Sequence, residues 1–274
     1  QLSRRLVDII KQLDPTRPVT AGCNEPSPEN LLFKSNALDL IGYNYHIKNI
    51  KDVPKNFPGK PFIMTESVSA LQTRGFYMMP SDSVYKAPEE WWLPYSNPTF
   101  MCSAYDNMHA SWSSTHESTW NAVKNNHFVS GQFVWTGWDY LGEPTPYGFP
   151  ARSSYFGIID LAGFPKDIYY MYQSEWTQKP VLHLFPHWNW LPGQQIDMWC
   201  YFNHADAVEL FVNGKSQGLK QKKPNEFHVK WRVNYEPGSV KVVAYEHGKA
   251  VREEEIHTAG APDHIRLTVE HSIC

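Results

Sequence analysis

The sequence predicts a chain in two parts: an α/β segment carrying four strands of a parallel barrel, then an all-β segment folded as an immunoglobulin-like sandwich. Three observations carry this reading. Short apolar runs without period-two alternation recur between residues 19 and 139, as in parallel strands covered by helices on both faces. From Val181 to His257 the pattern changes to alternation every second residue, and no helix signal remains. Lys179-Pro180 separates the two regimes.

The first element is an amphipathic helix with Leu2, Leu6, Ile9, Ile10 and Leu13 on one face. It stops at Asp14-Pro15, because the residue before a proline is pushed out of the α region. Strands are predicted at Val19 to Gly22, Leu38 to Tyr45, Phe62 to Glu66 and Gln132 to Asp139, with a helix at Ser118 to His127 ahead of the last. The stretch from Ser67 to Asn107 is long, rich in Pro, Trp and Tyr, and weakly periodic; loops of that length belong to binding surfaces. In the second part the clearest strands are Gln195 to Phe202, Ala207 to Val212, Phe227 to Asn234 and Ser239 to His247. Asn213-Gly214 between two such runs is a strong short hairpin signal. The expected division is residues 1–180 for the barrel strands, 181–260 for the sandwich and 261–274 for the start of a further β domain, with an alternating strand at Ile265 to Glu270. The chain opens at Gln1 inside a helix and closes on a strand with no partner after it, so it reads as an internal piece of a larger polypeptide.

Composition excludes several functions. Across 274 residues, 42% hydrophobic and 19% charged describe an ordinary folded protein. A formal net charge of -3 leaves no basic footprint for nucleic acid. No apolar run is long enough to cross a bilayer, so a membrane is not an expected partner. Cys23, Cys102, Cys200 and Cys274 are far apart with no CxxC pairing, which removes zinc and thioredoxin-like readings and leaves disulfides unassigned. His183 and His187 are four apart, but Pro186 excludes the helix that would aim both at one metal. Aromatic content is 15%, with 11 Trp and 15 Tyr; such rings pack cores and also stack on the C–H faces of sugars.

Glu66 is the chemical centre of the sequence. It ends the run Phe62-Ile63-Met64-Thr65, with no Lys or Arg in the five residues after it. Barrel enzymes keep catalytic groups at the C-terminal ends of their strands, so Glu66 is a candidate nucleophile. On the residues alone it is equally a solvated or salt-bridged strand-end carboxylate. If the four strands are the fifth to eighth of a barrel, Glu66 ends the seventh. Tyr43, Asn44 and Tyr45 then end the sixth, and Trp135, Trp138 and Asp139 end the eighth, all on one rim.

Several motifs in one order resemble glycoside hydrolase family 2 β-galactosidases: Asp14-Pro15-Thr16-Arg17-Pro18-Val19, Gly42-Tyr43-Asn44-Tyr45, Thr65-Glu66-Ser67 and Phe133-Val134-Trp135-Thr136-Gly137-Trp138-Asp139-Tyr140. The stretches Tyr155 to Lys166 and Pro186-His187-Trp188-Asn189-Trp190 resemble the subgroup abundant in Bacteroides-type gut bacteria. The resemblance implies the C-terminal half of a TIM (β/α)8 barrel followed by β-sandwich domains. It also implies retaining hydrolysis of terminal β-D-galactosides through a covalent glycosyl-enzyme. It assigns Glu66 as nucleophile, Tyr45 as the tyrosine hydrogen-bonded to it and Trp135 as the aromatic floor of the sugar pocket. Asn44, Trp138 and Asp139 become contacts to the substrate. Asn24-Glu25-Pro26 is similar to a glycosidase acid/base motif, but Glu25 sits one strand too close to Glu66, so the acid/base is expected upstream of Gln1. Family β-glucuronidases carry an Asn-x-Lys pair just before the position of Gly157-Ile158; here Ser153-Ser154-Tyr155-Phe156 has no lysine, which favours galactose. The alternatives are a β-mannosidase or β-glucuronidase of the same family, or a non-catalytic carbohydrate-binding piece. The chemistry needs no cofactor. Family β-galactosidases often bind Mg²⁺ or Na⁺, but no metal ligand is placed in this sequence. The implied partners are a carbohydrate substrate, the rest of the polypeptide and a second copy in a homo-oligomer. The implied location is periplasmic or secreted.

Overall fold

The computed structural model describes residues 2–268. Helix α1 (Leu2–Leu13) forms where the 3.6-residue spacing places it, and Asp14 closes it by donating to the Ile10 carbonyl at 2.7 Å. Its leucines and isoleucines stay exposed, while Val7 packs on the core below. Short helices α2 (Leu31–Lys34) and α3 (Val53–Asn56) follow, the latter entered from a 3-10 turn at Ile47–Asp52.

Three strands form a parallel sheet: β1 (Ile41–Asn44), β2 (Phe62–Glu66) and β5 (Val129–Gln132), with β2 in the middle. β1 pairs with β2 through Ile41–Phe62 and Tyr43–Met64, and β2 pairs with β5 through Phe62–Val129 and Met64–Gln132. Beneath them Phe33, Tyr43, Ile50, Val53, Phe62 and Met64 form one apolar cluster, with the Tyr43 and Phe62 rings edge-on at 5.0 Å. Two short strands, β3 (Tyr85–Lys86) and β4 (Met108–His109), pair with each other. Helix α4 (His116–Lys124) precedes β5 and is capped by the Thr115 side chain accepting from the Ser118 amide.

Two expected strands differ. Val19 to Gly22 forms no strand: the chain runs beside β1, but the bonds are made one by one. Asp39 Oδ2 takes the Val19 amide at 2.7 Å, Thr20 Oγ1 donates to the Leu40 carbonyl, and only Cys23 bridges to Tyr43. The approach is close enough that a Cβ on Gly42 would lie 2.6 Å from the Ala21 carbonyl oxygen, which makes glycine a requirement there. Gln132 to Asp139 is displaced: the strand proper is β5, and only Phe133 continues its ladder, bonding to the Met64 carbonyl and the Ser67 amide. Beyond it the chain leaves β2 and exchanges backbone bonds with residues 156–159.

After α5 (Asp167–Trp176), seven antiparallel strands form two sheets. One holds β6 (Leu182–Phe185), β7 (Gln195–Phe202) and β10 (His228–Asn234), with β7 central. The other runs in the order β12 (Lys249–His257), β11 (Ser239–Glu246), β8 (Ala207–Val212), β9 (Lys215–Lys220). Alternate residues of both sheets, among them Met198, Cys200, Trp231, Val208, Leu210, Val240 and Val242, meet in a single core. The β8–β9 hairpin turns on Asn213 and Gly214, at φ 47° and 79°, as the two-residue turn requires. A second cluster joins α5 to the sandwich through Tyr105, Met171, Phe185, Trp199 and Tyr201. The long loop is pinned there too. Asp197 accepts from the Ser81 amide and hydroxyl at 2.7 and 2.8 Å and from Arg232 at 2.6 and 2.9 Å. Burial works against its charge, but these donors outweigh it and hold the carboxyl at about 2. Of the alternating run Ile265 to Glu270, the part up to Thr268 carries no strand and the remainder lies outside the described residues.

Candidate active site

The site is assembled where β1 and β2 end side by side. The ladder slips between Tyr43 and Asn44, and the next two residues, Tyr45 and His46, take φ of 60° and 31°. Left-handed backbone in residues with a Cβ costs about 1 kcal/mol or more each and persists where the surroundings impose it. Here the Tyr45 amide donates to the Glu66 carbonyl at 2.5 Å, and His46 Nε2 meets the Asn24 carbonyl. The turned backbone aims the Tyr45 hydroxyl at Glu66 Oε2, to which it donates at 2.7 Å. Burial first, then the hydrogen bond and charge of Glu66, raise the Tyr45 phenol well above its ordinary value, so it remains a donor.

Ser69 supports the pair in a way the sequence did not signal. Its hydroxyl reaches the Tyr45 hydroxyl at 3.2 Å, and its amide donates to Ser113 Oγ at 2.6 Å. Serines in non-periodic loops, brought together across 44 positions, carry no spacing that marks them.

The other expected site residues divide. Asn44 is buried, with its amide group donating to Asn24 Oδ1 at 3.0 Å and accepting from Thr65 Oγ1 at 2.7 Å; it fixes the strand ends around Glu66. Trp135 follows two residues after Phe133, which is laddered to β2. Its indole donates to the Tyr140 hydroxyl at 3.2 Å and packs beside Leu71, Met108 and Phe156. Trp138 is 62% exposed. Asp139 is engaged with protein groups: Lys166 Nζ at 2.7 Å, the Gly157 amide at 2.8 Å and Ser154 Oγ at 3.3 Å. Glu25 is exposed, and its backbone carbonyl rather than its side chain accepts bonds from Cys23 and Asn30. His183 pairs with Asp167 at 2.8 Å. Among the described residues no three His, Cys, Asp or Glu side chains gather to hold a metal ion, and no step below is routed through one.

The Asp139–Lys166 pair is closed to solvent, Lys166 being 1% exposed. Burial pushes the aspartate up and the lysine down, while each partner's charge opposes the shift. Lys166 also donates to the carbonyls of Gln72 and Tyr155 at 2.7 and 3.2 Å, tying three loops together. Lys166→Met should therefore cost about 3–5 kcal/mol by stranding the Asp139 charge. Adding Asp139→Asn should restore much of that loss. Denaturant midpoints of the two variants check this; a single variant as stable as the parent would refute it.

Comparison with known proteins supplies relatives for this arrangement. The profile of a domain of unknown function, DUF4982, matches residues 193–252, inside the sandwich. A β-galactosidase of Bacteroides ovatus, BoGH2A, is 65% identical over 272 residues, covering 99% of this chain and 32% of that protein. A putative β-glucuronidase of Formosa agariphila is 34% identical over 292 residues, covering 96% of this chain and 27% of that protein. Among solved structures, a β-glycosidase from Bacteroides vulgatus superposes with a TM-score of 0.78 at 34% identity, over 95% of this chain and 35% of that one. A glycosyl hydrolase family 2 member from Bacteroides cellulosilyticus superposes with a TM-score of 0.73 at 25% identity, over 99% and 34%. The chain thus spans about a third of the length of the relatives it matches.

Proposed function

The chain belongs to glycoside hydrolase family 2, and we propose that it carries the nucleophile, Glu66, of a retaining β-galactosidase. On this reading the parallel strands are strands six to eight of the catalytic (β/α)8 barrel, and the residue 19–23 segment stands in for the fifth. The two antiparallel sheets are the immunoglobulin-like domain that follows. The Tyr45–Glu66 bond of 2.7 Å at the C-terminal ends of adjacent parallel strands carries the proposal.

In the first half-reaction the free Glu66 oxygen attacks the anomeric carbon. Tyr45, holding Oε2, fixes the plane of the carboxylate. A second carboxylic acid, outside the hydrogen-bonded set around Glu66, protonates the leaving oxygen. Water then cleaves the glycosyl-enzyme ester, with that same group acting as base. Trp135 floors the galactose ring. Incubating the whole protein with a 2-fluoro galactoside should label the peptide containing Glu66; a label on another peptide would overturn the assignment.

A β-glucuronidase is the second reading, because the relatives from Formosa agariphila and Bacteroides fragilis bear that name. The segment Ser153 to Phe156 argues against it. Phe156 is buried in the apolar cluster, and Ser154 Oγ takes the Tyr140 amide at 3.0 Å and lies against Asp139. The ammonium at this segment, Lys166, is already neutralised by Asp139. The remaining cation beside the segment, Arg152, lies over the Phe149 ring at 5.8 Å, and a substrate carboxylate left unpaired there carries a penalty of about 3 kcal/mol or more, equivalent to about 10²-fold. The ratio of kcat/KM on nitrophenyl β-galactoside and β-glucuronide should show at least that preference for galactose. A preference for the glucuronide would reverse the choice.

A further inference from the structure

The Tyr45 hydroxyl has one hydrogen to give, and its oxygen can also accept. The hydrogen goes to Glu66 Oε2 at 2.7 Å, and the Ser69 hydroxyl donates to the oxygen at 3.2 Å. Among the described residues the Ser69 hydroxyl makes no other hydrogen bond. The Ser69 backbone is held on both sides: its amide donates to Ser113 Oγ at 2.6 Å, and its carbonyl accepts from the Ala110 amide at 2.9 Å. Ser69 is 1% exposed, so a substrate does not reach it. Its route to the chemistry is Tyr45.

Hydroxyls in series polarise one another, and this series runs one way, from Ser69 through Tyr45 to a carboxylate. Burial raises the Tyr45 phenol, and among the groups that pull it back down Ser69 comes first, ahead of Trp112. At 3.2 Å the Ser69 bond is long for two hydroxyls, as catalytic hydrogen bonds often are before a substrate arrives.

We propose that Ser69 is a positioning residue for the second half-reaction: by donating to the Tyr45 hydroxyl it directs the Tyr45 proton to Glu66 and helps Glu66 leave the glycosyl-enzyme. The proposal rests on Glu66 being the nucleophile. In that step water attacks the anomeric carbon and gives a proton to the base. The bond from that carbon to the Glu66 ester oxygen breaks, and its electron pair returns to the carboxylate. The charge that develops is shared by Oε2, where Tyr45 donates. A donor there stabilises the free carboxylate most, the half-bonded transition state less and the neutral ester least. It therefore speeds the departure of Glu66 and does not speed its attack.

A 2-fluoro galactoside separates the two half-reactions in the whole protein. The rate of labelling follows attack, and the rate at which labelled enzyme, freed of reagent, regains activity in water follows departure. Ser69→Ala should label within about twofold of the parent rate and regain activity about fivefold more slowly, the size of one neutral hydrogen bond. In a Tyr45→Phe background Ser69→Ala should change neither rate, because its route is gone. Ser69→Cys, a weaker donor of similar size, should show the same pattern on a smaller scale and carries the test if the alanine variant does not fold. Labelling and recovery slowed alike, recovery as fast as the parent's, or a loss that persists in the Tyr45→Phe background would overturn the proposal. A parent protein labelled elsewhere than at Glu66 is a separate outcome, and it overturns the nucleophile reading itself.

Discussion

Glu66→Gln in the whole protein should abolish turnover of an aryl β-galactoside, lowering kcat by about 10⁴-fold or more, as removal of a covalent nucleophile does elsewhere. The fold should survive the change. Glu66 is only partly buried, and Oε2 accepts a single hydrogen bond, from Tyr45, which an amide oxygen accepts equally well. What the amide cannot do is form the ester with the anomeric carbon. Measuring kcat beside the thermal unfolding midpoint separates the two effects. A variant with near-normal rate would remove Glu66 from the chemistry, and a variant that fails to fold would show that the Tyr45 bond carries more of the structure than its geometry indicates.

The strand that bears Glu66 was legible because local signals agree: Pro61 sets its start, and a run of apolar and β-branched residues follows to the carboxylate. Its neighbour was not. Gln132 to Asp139 is rich in aromatic and β-branched residues, yet the sheet is closed by Val129-Ser130-Gly131-Gln132, because pairing against a buried β2 outweighs propensity. Strand β9 was signalled only by the Asn213-Gly214 turn before it, and β12 not at all, for a different reason. They are the edges of their sheet, and residues such as Lys215, Lys220 and Glu253 to Glu255 suit an edge that must not recruit another chain, while erasing the alternation that reveals a strand. At the site, strand order placed Tyr45 and Glu66 on one rim, and the family resemblance implied the bond between them. The Asp139–Lys166 bond did not, since Lys166 stands far downstream at the start of α5 and no local pattern links the two.

Residues 1–274 expressed alone should show no glycosidase activity, although they carry the proposed nucleophile. Helix α1 presents Leu2, Leu6, Ile9, Ile10 and Leu13 to solvent, and each such side chain gains about 1.5–3 kcal/mol when covered. Among the described residues the parallel sheet has three strands, with residues 19–23 bonding along β1 and no strand paired on the far side of β5, and the proposed barrel needs eight. The relatives are about three times as long as this chain. Proton transfer is the second shortfall. Among the described residues no other carboxylate joins the hydrogen bonds around Glu66 and Tyr45, and losing a general acid costs about 10²–10⁴ in rate even where the remaining site is intact. The two antiparallel sheets differ in this respect, because residues 182–257 close over their own core. Expressed from α5 onward, so that Met171 and Tyr172 still cover Phe185, Trp199 and Tyr201, they should unfold cooperatively, while the 1–274 product should aggregate or copurify with a segment supplying further strands. A soluble, monomeric and active 274-residue product would refute this, and would make exposed Glu25 the acid to test next by Glu25→Gln.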